Sequence, residues 1–149
     1  MMFPLETPIN YEPEASGNIG ALAALEGREI DDYMYDFLTR DGGNGFAILL
    51  GANYIEGNFD VIHEMLVHDD TVIGLSDAGA HVNLIFDAVA PTYSMVHWGR
   101  DRTRGEKLPI EFLVHKHTKN NAELYGLGDR GSLEVGRRAS IHNGVAHAG

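Results

Sequence analysis

The chain has 149 residues, a length that fits one domain, and 44% of them are hydrophobic, which excludes wholesale disorder. Its formal net charge of −11 argues against nucleic acid and anionic membrane surfaces as partners. The absence of cysteine excludes disulfides and thiolate zinc sites. No apolar run approaches the roughly 20 residues of a membrane span, and the amino terminus has no secretory pattern, so we expect a cytoplasmic protein.

The first third of the chain predicts two helices after an extended, proline-rich lead-in over residues 1–15. The stretch "SGNIGALAALEG" offers Ser16 as an N-cap and Gly27 as a C-cap, so it predicts a first helix. A second helix is predicted over residues 28–43, where four apolar side chains recur at helical spacing: Ile30, Met34, Phe37 and Leu38.

The middle of the chain predicts strand, helix and strand in turn. The short apolar run 46–52 lies between glycines, which is typical of a buried strand. A helix capped by Asn58 follows, with Phe59, Ile62, Met65 and Leu66 on one face. The run 71–76 predicts a second buried strand.

The last third predicts two more helices and a hairpin. Residues 82–100 are helical in pattern but are interrupted by Pro91. Another helix begins near Pro109, with Ile110, Leu113 and Val114 on one face. The stretch 131–141 predicts a β-hairpin around Gly136.

This order of elements predicts an α/β protein, because strands that alternate with helices pair in parallel through right-handed crossovers. Two inner strands alone would leave both sheet edges unpaired and their apolar faces uncovered. We therefore expect either a homo-oligomer or a missing barrel half to supply the remaining contacts.

The candidate site is the stretch "VIGLSDAGAHV", where polar groups follow the predicted strand 71–76. Functional groups collect at the carboxyl ends of parallel strands, and a carboxylate such as Asp77 can accept a proton from water or bind a metal. Gly79 would let backbone approach a ligand, and His81 could donate to a substrate carboxylate or orient Asp77. The alternatives are that Asp77 only caps the next helix and that His81 is an ordinary polar residue.

Other polar groups are weaker candidates. In "HKH", His115 and His117 are two apart in a helical pattern and would not converge on a metal, so a solvated helix face is the better interpretation. Tyr93, His97 and Trp98 lie at helical spacing and indicate packing before a pocket mouth.

Three stretches together resemble the carboxyl-terminal part of the amidohydrolase superfamily, over about residues 8–139. The most specific are "GLSDAGAHV" (74–82), "HWGRDR" (97–102) and "AELYGLGDRGSLEVGRRA" (122–139). The branch they resemble most closely is the D-aminoacylase, or N-acyl-D-amino-acid deacylase, group of amidohydrolase family 3. The resemblance implies a (β/α)8 TIM barrel of a metal-dependent hydrolase with a small β-sandwich. Residues 1–130 would then form the carboxyl-terminal part of the barrel, and 131–149 the return toward the β-sandwich.

The resemblance also implies a function. Asp77 matches the aspartate at the tip of the last barrel strand, which in the family binds or orients a metal-activated water and passes its proton to the leaving amine. Ser76, Gly79 and His81 would lie beside the pocket and contact the substrate. The implied reaction is hydrolysis of the amide of N-acyl (D-)amino acids or related small acyl compounds, with zinc as cofactor.

The chain departs from the family in its ligands. The family's histidine pair, its cysteine or carboxylated-lysine bridge and its later histidine ligands would all precede residue 1. We therefore expect a gene fragment or a remnant with another role, and a chain that alone binds no zinc at a barrel site. Two alternatives stay open: an ester or lactone hydrolase of the same superfamily, and a non-catalytic, self-associating α/β module.

Overall fold

A computed structural model describes residues 1–74, 76 and 87–141. The described elements are mixed helix and strand. The strands are β1 (Met2–Pro4) and β2 (Ala47–Leu49), and the helices are α1 (Ile19–Leu25), α2 (Ile30–Gly43), α3 (Asp60–Val67), α4 (Ala90–Val96), α5 (Ile110–His117) and α6 (Lys119–Leu124). The chain divides into two compact units, the first made of Met1–Asp69 with Arg102–Glu106 and the second of Asp70–Asp101 with Lys107–Gly149.

The first unit contains a two-stranded antiparallel sheet. Its register pairs Phe3 with Ile48, and the amide of Leu5 donates to the carbonyl of Phe46 at 2.8 Å. A strand within 46–52 is therefore confirmed as β2, but its partner is the proline-rich lead-in and the pairing is not parallel. The prediction that this strand is buried is wrong, since none of its residues is buried and Leu49 is 70% exposed. Burial of Phe3 explains why β2 pairs with the lead-in, because the Phe3 side chain is 1% exposed and lies edge-on to Tyr54.

Both predicted helices of the first third are present, with different caps and contacts. Asn18, not Ser16, caps α1 by accepting a hydrogen bond from the amide of Ala21. Gly27 follows the C-cap in the left-handed region, as predicted for a helix end. Of the four apolar residues predicted on α2, Phe37 alone is buried. A Cβ on Gly45 would lie 1.8 Å from the carbonyl oxygen of Phe37. Only glycine at position 45 therefore lets the chain pass this close to the backbone of α2.

The helix predicted after Asn58 is confirmed as α3, although none of its residues is buried. The Asn58 side chain accepts a hydrogen bond from the amide of Asp60, the first residue of α3, although the formal N-cap position is Phe59. Met65 remains 45% exposed.

The second unit packs α4, α5 and α6 around Trp98, Leu113 and Ala122, which are all buried. Pro91 was predicted to interrupt a helix over 82–100. In the structure it lies in the first turn of α4, a position that proline favours at a helix start. A π-helical turn, His97–Asp101, follows α4, and the amide of Leu108 donates to the carbonyl of Trp98 at 2.8 Å.

Two predicted β elements of this unit are corrected. Residues 71–74 form no strand, and side chains of α5 and α6 donate hydrogen bonds to the carbonyls of Thr71 and Ile73. The stretch 131–141 turns at Gly136 without a ladder, and Leu133 and Val135 stay exposed. Within the described ranges no two strands are parallel, so the barrel and the β-sandwich remain predictions.

No helix in the described part of the chain is long and apolar enough to cross a membrane.

Candidate functional site

In the sequence, the predicted site residues follow the segment 71–74. Ser76 is described and half-buried. Asp77, Gly79 and His81 lie outside the described residues. The structure therefore shows which side chains bond the segment that precedes this site.

Two side chains hold the segment 71–74 by its backbone. The Lys116 ammonium donates to the carbonyl of Thr71 at 2.8 Å, and the Asn121 amide donates to the carbonyl of Ile73 at 3.1 Å. Lys116 belongs to α5 and Asn121 to α6, so two successive helices bond this segment. These bonds replace the ladder that a neighbouring strand would provide.

Lys116 is buried, which the sequence pattern did not predict. Its side chain is 3% exposed, and the ammonium lies 5.6 Å from the ring centroid of Phe112. A buried ammonium is tolerated only where acceptors replace its water, and the Thr71 carbonyl is one of these. The prediction of a solvated helix face is therefore wrong for this residue.

Replacing Lys116 by methionine should destabilise the second unit. The variant keeps the apolar stem but leaves the part-buried carbonyl of Thr71 without this donor, at a cost of about 1–2 kcal/mol in the free energy of unfolding. Chemical denaturation should measure this loss of stability. Lys107→Met is the matched control, because its ammonium also donates to a carbonyl, that of Arg100, but at an exposed position. Equal losses in the two variants would contradict the assignment.

His117 ends α5 next to this anchor. Its Nε2 is buried and accepts no hydrogen bond from the described residues, and burial lowers the pKa of the imidazole. The Asn121 side chain also reaches the His117 carbonyl, at 3.5 Å. His117 thus lies beside the residue that bonds the segment leading to Asp77.

His117 should make stability depend on pH. Because the pKa is lower in the folded state, the unfolded chain takes up the proton first, so stability is lost as pH falls through about 6.5. Melting temperatures measured between neutral and mildly acidic pH should fall less in His117→Gln than in the parent chain. His115→Gln, on the same helix at an exposed position, should keep the parent's pH dependence. The opposite ranking of the two variants would refute the assignment.

The aromatic residues predicted as packing are confirmed as such. The rings of Tyr93 and His97 stack at 5.2 Å, and His97 meets Trp98 edge-on at 5.1 Å. His97 and Trp98 are buried in the π-helical turn. Their role in the second unit is to fix the end of α4.

A second polar cluster, in the first unit, was not predicted. The Arg102 guanidinium is 1% exposed and donates from Nε and Nη2 to the two carboxylate oxygens of Glu12, at 3.1 and 3.2 Å. Its Nη2 also donates to Asp60 at 2.6 Å. Glu12 in turn accepts the amide of Phe59 at 2.8 Å. No spacing rule indicates this pair, because its members are 90 residues apart.

Arg104 completes this cluster with bonds to backbone. Its Nη1 lies within 3.1 Å of the carbonyls of Glu12, Pro13 and Gly57 and of the Tyr54 hydroxyl. The hydroxyl donates to the Pro13 carbonyl, and burial raises the pKa of Tyr54. The guanidinium N–H groups of Arg102 and Arg104 donate to carboxylates and to backbone carbonyls of distant segments. The cluster therefore joins these segments and stabilises the first unit.

The described residues do not assemble a metal site. Among them no three histidine, aspartate or glutamate side chains converge as ligands would. The described part of the chain therefore offers no set of ligands for the zinc that the resemblance implies.

Comparison with known families identifies the chain. A family model described as the amidohydrolase family matches residues 18–142. Because this match spans most of the sequence, the chain belongs to the amidohydrolase family, a family of hydrolases that generally use metal ions. Comparisons with curated proteins and with solved structures give no match.

Proposed function

We propose that this chain provides the carboxyl-terminal part of a hydrolase barrel that cleaves the amide of N-acyl-D-amino acids. The observation that carries the proposal is the family match over residues 18–142, which contains the whole stretch 74–82 around Asp77. The anchoring of segment 71–74 by Lys116 and Asn121 adds support, because a catalytic carboxylate needs a fixed backbone.

Asp77 is the proposed acid and base. It accepts a proton from the attacking water as the water oxygen bonds to the acyl carbon. It then delivers this proton to the amide nitrogen as the carbon–nitrogen bond breaks, so a carboxylic acid and a free amine leave. Ser76, Gly79 and His81 contact the substrate, and a protonated His81 would pair with its carboxylate.

Zinc is the cofactor proposed for the complete enzyme, but the described residues do not fit it. A zinc site takes about three or four protein ligands, and no such group converges in the described ranges. We expect no stoichiometric zinc in the 149-residue chain after dialysis, measured by elemental analysis. One tightly held zinc per chain that is lost in Asp77→Ala would contradict this expectation.

A substrate panel tests the proposed reaction. The gene product, expressed with any in-frame sequence that its gene places before Met1, is assayed on N-acetyl-D-amino acids, their L-enantiomers and matched esters and lactones. We expect saturable hydrolysis of the D-amides above the others. Turnover of esters or lactones alone would support the alternative within the family, and hydrolysis of none would refute the proposal. The 149-residue chain, expressed without that preceding sequence, should give no turnover.

The sheet of the first unit favours a second candidate, a self-associating α/β module. In the described part of the chain β1 pairs only with β2, and Phe46 just before β2 and Leu49 at its end are 60% and 70% exposed. Such an edge is a template for another copy. Sedimentation should show a homo-oligomer that Leu49→Lys dissociates and that Leu25→Lys, at an 81% exposed position on α1, does not. A stable monomer would refute this candidate.

A further inference from the structure

The chain after α6 folds back against this helix and borders a cavity of about 340 Å³. Gly131 fixes the fold-back: its φ is +90°, and a Cβ there would lie 2.9 Å from Cβ of Ala122 and 3.0 Å from Cα of Lys119. The cavity therefore lies between α6 and the turn Gly126–Gly128 on one side and the loop of Arg130 on the other.

Three cations line this cavity against one carboxylate. Lys119, Arg130 and Arg137 are in the lining together with Ser132, and Glu123 is the single acidic residue there. The surrounding sequence is unusual for this chain. Residues 119–138 hold 4 basic and 3 acidic residues, whereas the remaining 129 hold 7 basic and 19 acidic.

Hydrogen bonds orient the guanidinium groups of Arg130 and Arg137 but use only some of their N–H donors. Nε and Nη2 of Arg130 donate hydrogen bonds to the carboxylate of Asp129. Nε of Arg137 donates to the carboxylate of Glu134, and its Nη1 donates to the Gly128 carbonyl. Neither Asp129 nor Glu134 belongs to the lining. Within the described part of the chain, Nη1 of Arg130 and Nη2 of Arg137 make no hydrogen bond, so each arginine keeps N–H donors for a ligand.

We propose that this cavity binds a phosphate group, either as inorganic phosphate or as a phosphomonoester. Guanidinium forks match the tetrahedral oxygens of phosphate, and Lys119 adds a point charge. The nearest carboxylate oxygen of Glu123 is 3.8 Å from the lysine ammonium, too far for a full hydrogen bond, so phosphate can displace it. The volume exceeds what one phosphate needs and leaves room for an organic substituent. Phosphate binding here does not depend on the reaction proposed for Asp77.

The test is a titration of the full chain with inorganic phosphate at constant ionic strength, followed by the NMR shifts of the amides of Gly126 and Gly128. We expect saturable shifts with a Kd on the order of 1 mM. Arg130→Gln and Arg137→Gln should each raise the Kd at least about tenfold, because each removes charge-assisted hydrogen bonds.

Arg28→Gln is the matched control, because Arg28 has the same 34% side-chain exposure as Arg137 and also pairs with carboxylates. It should leave the Kd unchanged, and thermal melts should show that all variants fold. A simple phosphomonoester should bind at least as tightly as phosphate, and acetate more weakly. Absence of saturation, equal weakening in Arg28→Gln, or acetate binding as tight as phosphate would each overturn the proposal.

Discussion

Replacing Arg102 by methionine should lower the free energy of unfolding by about 3–5 kcal/mol, the cost of removing one partner from a buried ion pair. The side chain of Glu12 is 4% exposed, so its carboxylate would lose both guanidinium bonds without gaining water. Asp60 contributes less, because its side chain is 68% exposed and remains hydrated. Arg102→Lys should lie between the parent and the methionine variant, because it keeps the charge but not the fork.

Chemical denaturation of the parent chain and these variants measures the loss. Arg28→Met is the control, since Arg28 also pairs with carboxylates but at the surface, where such pairs contribute little. If Arg102→Met lost no more stability than Arg28→Met, the buried pair would not stabilise the first unit.

Local sequence signals predicted the helices better than the strands. The helical spacing and caps around Gly27, Asn58 and Pro109 located α1, α3 and α5. The apolar run at 71–76 resembles β2 in composition, yet β2 forms a strand and the described residues 71–74 do not. The difference lies in distant partners, because Met2–Pro4 pairs with β2 whereas side chains bond residues 71–74. A strand is defined by its neighbour, which local composition does not specify.

The candidate site was predictable only through resemblance. Asp77, Gly79 and His81 were singled out by their place after an apolar run and by the family motif, and their roles stay predictions. Lys116 was missed because a charged residue on a helix is usually solvated. Its burial follows from contacts with Thr71, 45 residues away. Long-range pairs of this kind leave no periodic signal in the sequence.

Replacing Asp77 by asparagine should lower amide hydrolysis by the gene product by about 100-fold or more, the typical contribution of a positioned acid or base. Asparagine is close in size to aspartate but cannot take up and release the proton, so binding should change less than turnover. Asp69→Asn is the control, because Asp69 lies in an exposed turn shortly before the same stretch. It should leave the rate unchanged.

The most direct test is therefore kcat/KM for an N-acetyl-D-amino acid, measured for the gene product, with any in-frame sequence preceding Met1, and for its Asp77→Asn variant. We predict measurable turnover in the parent, with kcat falling much more than KM changes in the variant. Equal kcat/KM in the two proteins, or a loss that Asp69→Asn reproduces, would contradict the role of Asp77 as acid and base.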